Sequence, residues 1–154
     1  MMLLYPVALL LLVQGAVAQT RCQCAAMVED DYLNLSPVLE LMGDADNGPS
    51  CDNQALNDCE DACILEGAFG THPALNISGL INYKNATWTR GAAYCDMIND
   101  DGNIVITDPP GQFVEVFSRI EGCVGADFWW VTLPEVQGDD ELCCNGATWN
   151  ENCV

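Results

Sequence analysis

The side chains able to do chemistry in this 154-residue chain are cysteines and carboxylates. Cys22, Cys24, Cys51, Cys59, Cys63, Cys95, Cys123, Cys143, Cys144 and Cys153 stand against a single histidine, His72. A structural zinc site draws on Cys-x2-Cys pairs or several histidines, and the chain has neither. An even cysteine count in a small exported chain reads instead as a framework of disulfides. His72 has no second histidine, HExxH run or nucleophile elbow beside it, so zinc hydrolysis and nucleophilic catalysis lack their parts. Carboxylates are plentiful, with 23 acidic residues against 4 basic ones and a net charge of −19. Glycoside hydrolysis needs two of them facing each other across a cleft, and no spacing in the sequence arranges that. The expectation is therefore a protein that is not an enzyme. Its charge disfavours nucleic acid and anionic lipid, and favours Ca²⁺, cationic partners or mineral surfaces.

The stretch from Met1 to Ala18 is apolar and ends in Ala-Val-Ala before Gln19, the pattern of a secretory signal peptide. No later run is apolar enough to cross a bilayer. The expected product is secreted and extracellular, without membrane insertion, and all ten cysteines lie beyond the cleavage point. Residues 19–70 form a cysteine-rich N-terminal segment, and residues 71–154 a second unit. Asn76-Ile77-Ser78 and Asn85-Ala86-Thr87 are N-glycan acceptor triplets, which require exposed loops. Asn34-Leu35-Ser36 is a third match, weakened by the following Pro37.

The elements that must hold the cysteines follow from spacing. In a strand, Cys22 and Cys24 point to one face. Ser36 to Gly43 reads as a short helix, with Ser36 as cap and Pro37 in the first position. Asp44 to Gly48 departs from the EF-hand spacing and reads as a solvated turn. Asn53 to Glu66 reads as a helix ended by Gly67, with Leu56, Cys59 and Cys63 on one stripe. Cysteines one helical turn apart match sulfurs on alternate strand residues, so Cys59 and Cys63 are expected to bridge to Cys22 and Cys24. Further on, Trp88, Ala92 and Cys95 have helical spacing behind Thr87 as cap, despite a glycine at 91 that costs about 1 kcal/mol against alanine. Asp101-Gly102 ends that helix, and Ile104-Val105-Ile106 follows as a short, mostly buried strand. Phe113, Val116, Phe117 and Ile120 fit a helix, although the β-branched valines would also allow a strand. Phe128 to Leu133 reads as a strand closed by Pro134, with Trp129 and Trp130 on opposite faces.

The run from Thr87 to Cys95, the glycine turn and the strand after it together resemble the opening of a C-type lectin-like domain. Phe113, Phe117 and Ile120 are similar to that family's second helix, and Phe128-Trp129-Trp130-Val131-Thr132-Leu133 to its FWIGL strand. Trp149-Asn150-Glu151 resembles its WND motif with Glu in place of Asp. The resemblance implies that Asn150 and Glu151 are calcium ligands and that Trp129, Trp130, Trp149, Asn150 and Glu151 form the ligand surface. The family's Glu-Pro-Asn or Gln-Pro-Asp motif is absent, and its long loop and final strand are largely missing. That strand carries the cysteine that pairs with the counterpart of Cys95, which leaves Cys95 to another partner such as Cys153.

The expected fold is α+β: a small, disulfide-rich, shortened C-type lectin-like domain with two helices and a small antiparallel sheet, preceded by a cystine-stapled helical segment. The expected function is noncatalytic recognition of an extracellular carbohydrate or glycoprotein, with Ca²⁺ as the one candidate cofactor. An acidic matrix or mineral-associated protein and a sugar-independent protein-binding module are the alternatives.

Overall fold

The computed structural model describes residues 20–46, 50–67, 71–106, 110–123, 125, 130–151 and 153. The signal-like stretch, Phe128 and Trp129 lie outside these residues. The elements run β1 (Arg21–Met27), β2 (Glu40–Asp46), α1 (Asn53–Glu66), a 3-10 turn (Pro73–Leu75), β3 (Leu80–Tyr83), β4 (Ala86–Thr89), α2 (Arg90–Asp101), β5 (Gln112–Glu121), β6 (Val131–Leu142), β7 (Cys144–Asn145) and β8 (Thr148–Trp149). The architecture is α+β, disulfide-rich, with two helices and small antiparallel sheets among the described residues.

The main sheet has the order β2-β1-β5-β6, antiparallel throughout. Two of its strands come from residues 19–70 and two from the later part of the chain, so both stretches share one sheet. On β1, Cys22, Cys24 and Ala26 are buried in the principal core, as is Val28 just beyond the strand. Across from them lies α1, whose buried Ala55, Cys59 and Cys63 face the sheet. Cys22–Cys59 and Cys24–Cys63 bridge strand to helix, each with Cα atoms 5.3 Å apart, as the spacing requires. Asp52 caps α1 by accepting from the Ala55 N–H at 2.9 Å, and Gly67 ends it, so this helix has the bounds read from sequence.

Three further bridges join Cys51–Cys123, Cys95–Cys144 and Cys143–Cys153, leaving no free cysteine. Cys95 thus pairs with Cys144, not Cys153. The reason is local: β7 and β8 form a hairpin beside α2, which brings Cys144 under the helix.

Three expected elements are corrected. Ser36 to Gly43 is not a helix. Ser36 Oγ accepts from the Val28 N–H at 2.9 Å and donates to the Pro37 carbonyl, which ties the β1–β2 connection and sends Glu40–Asp46 along β1 as a strand. Phe113 to Ile120 is not a helix but part of β5. This strand sits between β1 and β6 with Val114, Val116, Ser118 and Ile120 buried on one face, while the other face mixes Glu115, Arg119 and Glu121 with Phe113 and buried Phe117, and those two aromatics are what complete the helical spacing. The strand ahead of Pro134 does not stop there, because β6 continues to Leu142.

The helix α2 begins two residues later than expected. Thr89 caps it by accepting from the Ala92 N–H, while Trp88 belongs to β4 and meets Tyr83 edge-on across the β3–β4 hairpin. Gly102 ends it in the left-handed region at φ 70°, where glycine carries no Cβ penalty. Ile104, Val105 and Ile106 follow as irregular chain without sheet pairing among the described residues, so the short strand expected there is not formed.

An ion pair ties α2 to the sheet. Arg90 Nε donates to Glu40 Oε2 at 2.8 Å, and the Tyr94 hydroxyl lies 2.9 Å from both that carboxylate and the Ala74 carbonyl. Burial, then the Glu40 charge, pushes the Tyr94 hydroxyl well above the usual phenol range, so it stays a donor. On the β3–β4 turn, Lys84 donates to Asp96 and Asp100 on α2, which hold its ammonium above the usual lysine range.

Tyr94→Phe leaves the buried Ala74 carbonyl without its donor and takes one partner from the Arg90-paired Glu40 carboxylate, and should lower stability by about 1–3 kcal/mol in chemical denaturation with all disulfides intact. Limited reduction followed by alkylation mapping should open Cys51–Cys123 and Cys143–Cys153 first. Each has a sulfur-bearing residue reaching solvent, whereas Cys22, Cys24, Cys59, Cys63, Cys95 and Cys144 are all buried.

Candidate functional site

The aromatic residues singled out from sequence separate in the structure. Trp130 packs beside Ala25, Met27, Phe117 and Leu35 on the sheet face away from α1. The Arg119 guanidinium lies 4.4 Å from its ring centroid, and Arg119 Nε donates to Gln23 Oε1 at 2.8 Å. One face of that ring is therefore occupied from within. Trp129 lies outside the described residues.

Trp149, on β8, packs against α2. A Cβ placed on Gly91 would fall 2.4 Å from the indole, which is why this helix accepts a glycine in its first turn. The indole N–H is buried, with no acceptor among the described residues. Trp149 is thus a core side chain at the start of α2, and Asn150, whose N–H donates to the Cys143 carbonyl at 2.9 Å, continues that anchoring.

Glu151 opens in another direction. It lines a shallow groove of about 340 Å³ with Phe113, Asp139, Asp140, Glu141 and Cys153. Two constraints assemble this groove. The β5–β6 register sets Phe113 opposite Glu141. The Cys143–Cys153 bridge then draws the C-terminal turn, carrying Glu151, against the end of β6. Asn150 is not among the groove's lining residues.

Four acidic residues and one aromatic residue consequently line the same groove. Among the described residues none of the four is in an ion pair, since Lys84 and Arg90 are engaged by Asp96, Asp100 and Glu40. Such a groove suits a cation, or a ligand that presents several hydroxyl donors and an apolar face. Two groups of potential metal ligands, Cys22-Cys59-Cys63 and Glu141-Cys143-Cys153, have suitable spacing. Every sulfur in them is tied into a disulfide, so no thiolate is available, and any ion in the groove would rest on carboxylate oxygen.

The acceptor triplets sit at the surface. Asn85 is exposed on the β3–β4 turn at φ 61°, beside Lys84 at φ 48°. Asn76 is exposed after the 3-10 turn, with its side-chain oxygen accepting from the Ser78 N–H at 3.2 Å.

Sequence reasoning did not connect Asp139, Asp140 and Glu141 to Glu151 or Phe113. The connection depends on a strand register and a disulfide, neither of which is written in local spacing. No family model matches this chain, and neither a curated protein nor a solved structure matches it.

The contact between Gly91 and Trp149 yields a test. Gly91→Ala gains helix propensity of about 1 kcal/mol but forces the indole aside, at a cost of about 1–3 kcal/mol. The variant should be less stable than wild type, and the loss should shrink in Gly91→Ala/Trp149→Ala measured against Trp149→Ala.

Proposed function

We propose that this chain is a secreted, noncatalytic recognition protein that binds an extracellular carbohydrate or glycoprotein at the Phe113–Glu151 groove, with Ca²⁺ bridging ligand and carboxylates. The observation that carries the reading is that Asp139, Asp140, Glu141 and Glu151 line one groove together with Phe113, without a cationic partner among the described residues. Carboxylate oxygens accept from sugar hydroxyls or coordinate Ca²⁺, whose shell vicinal hydroxyls can complete. The Phe113 ring offers an apolar face to the same ligand. Secretion is supported by the apolar leader-like start and by five bridges, which persist in oxidising compartments.

The likeness to C-type lectin-like domains supports the reading through α2, its glycine turn and Ile104. It does not extend through Phe113 to Ile120, which is a strand here. The proposal therefore assigns the ligand surface to the groove and keeps Glu151 as its one residue from the WND-like run. Trp149 is assigned to the core.

Calcium titration by calorimetry should give a dissociation constant on the order of 10⁻⁴–10⁻³ M, the range of extracellular calcium modules. Glu141→Gln/Glu151→Gln should weaken it at least about tenfold, because two of four charges are lost. On a glycan array, binding should appear with calcium and fall on chelation. Absence of glycan binding in both buffers, or wild-type binding by the double variant with its disulfides intact, would overturn the assignment.

A further inference from the structure

The segment after α2 has the composition and the burial alternation of a strand but no sheet partner among the described residues. Ile104 and Ile106 are 3 % and 4 % exposed while Val105 between them is 78 % exposed, the alternation of a half-buried strand. Yet no described residue hydrogen-bonds to the backbone of these three positions, and they belong to none of the sheets. Backbone N–H and C=O groups are obligate hydrogen-bonding groups, and a short β-branched edge left open is a ready template for another extended chain.

The surroundings specify what kind of chain. Beside the segment lies a crevice of about 100 Å³, lined by Ile98, Ile104, Ile106, Cys144 and Gly146 among others. A dry apolar cavity of about 150 Å³ accepts benzene, so this smaller one suits a single branched aliphatic side chain. Immediately before the segment, the end of α2 and its turn expose Asn99, Asp100 and Asp101. Lys84 takes Asp100, and no ion pair neutralises Asp101 among the described residues. With only 4 basic residues in the whole chain, a partner strand gains by bringing its own cations.

We propose that Ile104–Val105–Ile106 is a strand-addition site. It receives an extended segment of another protein in which aliphatic residues alternate with lysine or arginine. Main-chain hydrogen bonds supply the pairing, the crevice takes one aliphatic side chain, and the acidic turn selects for positive charge. The site is separate from the Phe113–Glu151 groove and stands whether or not that groove binds sugar.

The probe is the heptapeptide Lys-Val-Lys-Val-Lys-Val-Lys, capped at both ends, added to the oxidised protein while amide exchange is followed residue by residue. In the free protein the three amides should exchange freely. At saturating peptide, exchange should slow at least about tenfold with period two, at Val105 alone or at Ile104 and Ile106 together, because successive strand amides face opposite edges. Two further peptides, N-methylated either on every valine or on every lysine, separate pairing from simple charge attraction. Only one series has its donors turned toward the protein, so one should keep binding and the other should lose it. No slowing at these amides, slowing already present without peptide, or the same outcome for both N-methylated series would overturn the site.

Discussion

Two covalent bonds across one strand set the frame for everything else. Residues two apart in a strand are separated by about 6.8 Å, and residues four apart in a helix by about 6 Å along the axis. Cys22 and Cys24 therefore meet Cys59 and Cys63 with little distortion, and the two bridges fix the direction of α1 along β1 as well as its rotation. A single bridge would leave the helix free to pivot. With the helix fixed, the face of β1 that carries Ala26, with Val28 just beyond the strand, becomes the floor of the core, and β5 packs beside it with Val114, Val116 and Ile120 turned the same way. Each bridge also contributes about 2–4 kcal/mol, which matters in a domain small enough to bury only a modest core.

Charge is organised by scarcity. Three of the 4 basic side chains are committed to internal work. Lys84 fastens the β3–β4 hairpin to α2, Arg90 fastens α2 to β2, and Arg119 covers Trp130. Four of the acidic residues left over, Asp139, Asp140, Glu141 and Glu151, meet where the end of β6 joins the C-terminal turn, because the β5–β6 register and the Cys143–Cys153 bridge converge there. On the proposed reading, a cation held in that groove offsets the repulsion among them.

Legibility in the sequence tracked how local each cause was. Helix α1 could be read to its ends because its cap, its terminator and its cysteine stripe all lie within one short stretch. The pairing of Cys22 and Cys24 followed from two periodicities matching. Strand β5 was misread because Phe113 and Phe117 stand on the face that also carries Glu115, Arg119 and Glu121, and together with Val116 and Ile120 they make four apolar positions that fit a helix. Cys95 was assigned wrongly because its partner depends on a two-strand hairpin of four residues, Cys144–Asn145 and Thr148–Trp149, too short to announce itself. The groove was the least legible feature, since Phe113, Glu141 and Glu151 are brought together only by tertiary structure. Gly91 was visible as an anomaly, and the structure supplies its cause in Trp149.

The position of β1 in the sheet bears on how the chain assembles. Its partner β5 comes late: Gln23 and Glu121, which touch across the two strands, are 98 positions apart. Cys22 and Cys59 are only 37 apart, and Cys24 and Cys63 only 39. As the chain emerges, β1, β2 and α1 can close on one another and oxidise before β5 exists, whereas the sheet itself waits for most of the polypeptide. Long-range strand pairing of this kind is slow. Until β5 arrives, the inner edge of β1 remains open, and early oxidation holds the half-built sheet in a shape that β5 can recognise. In this fold the cystines serve as a memory of the first folding step, kept until the last strand is delivered.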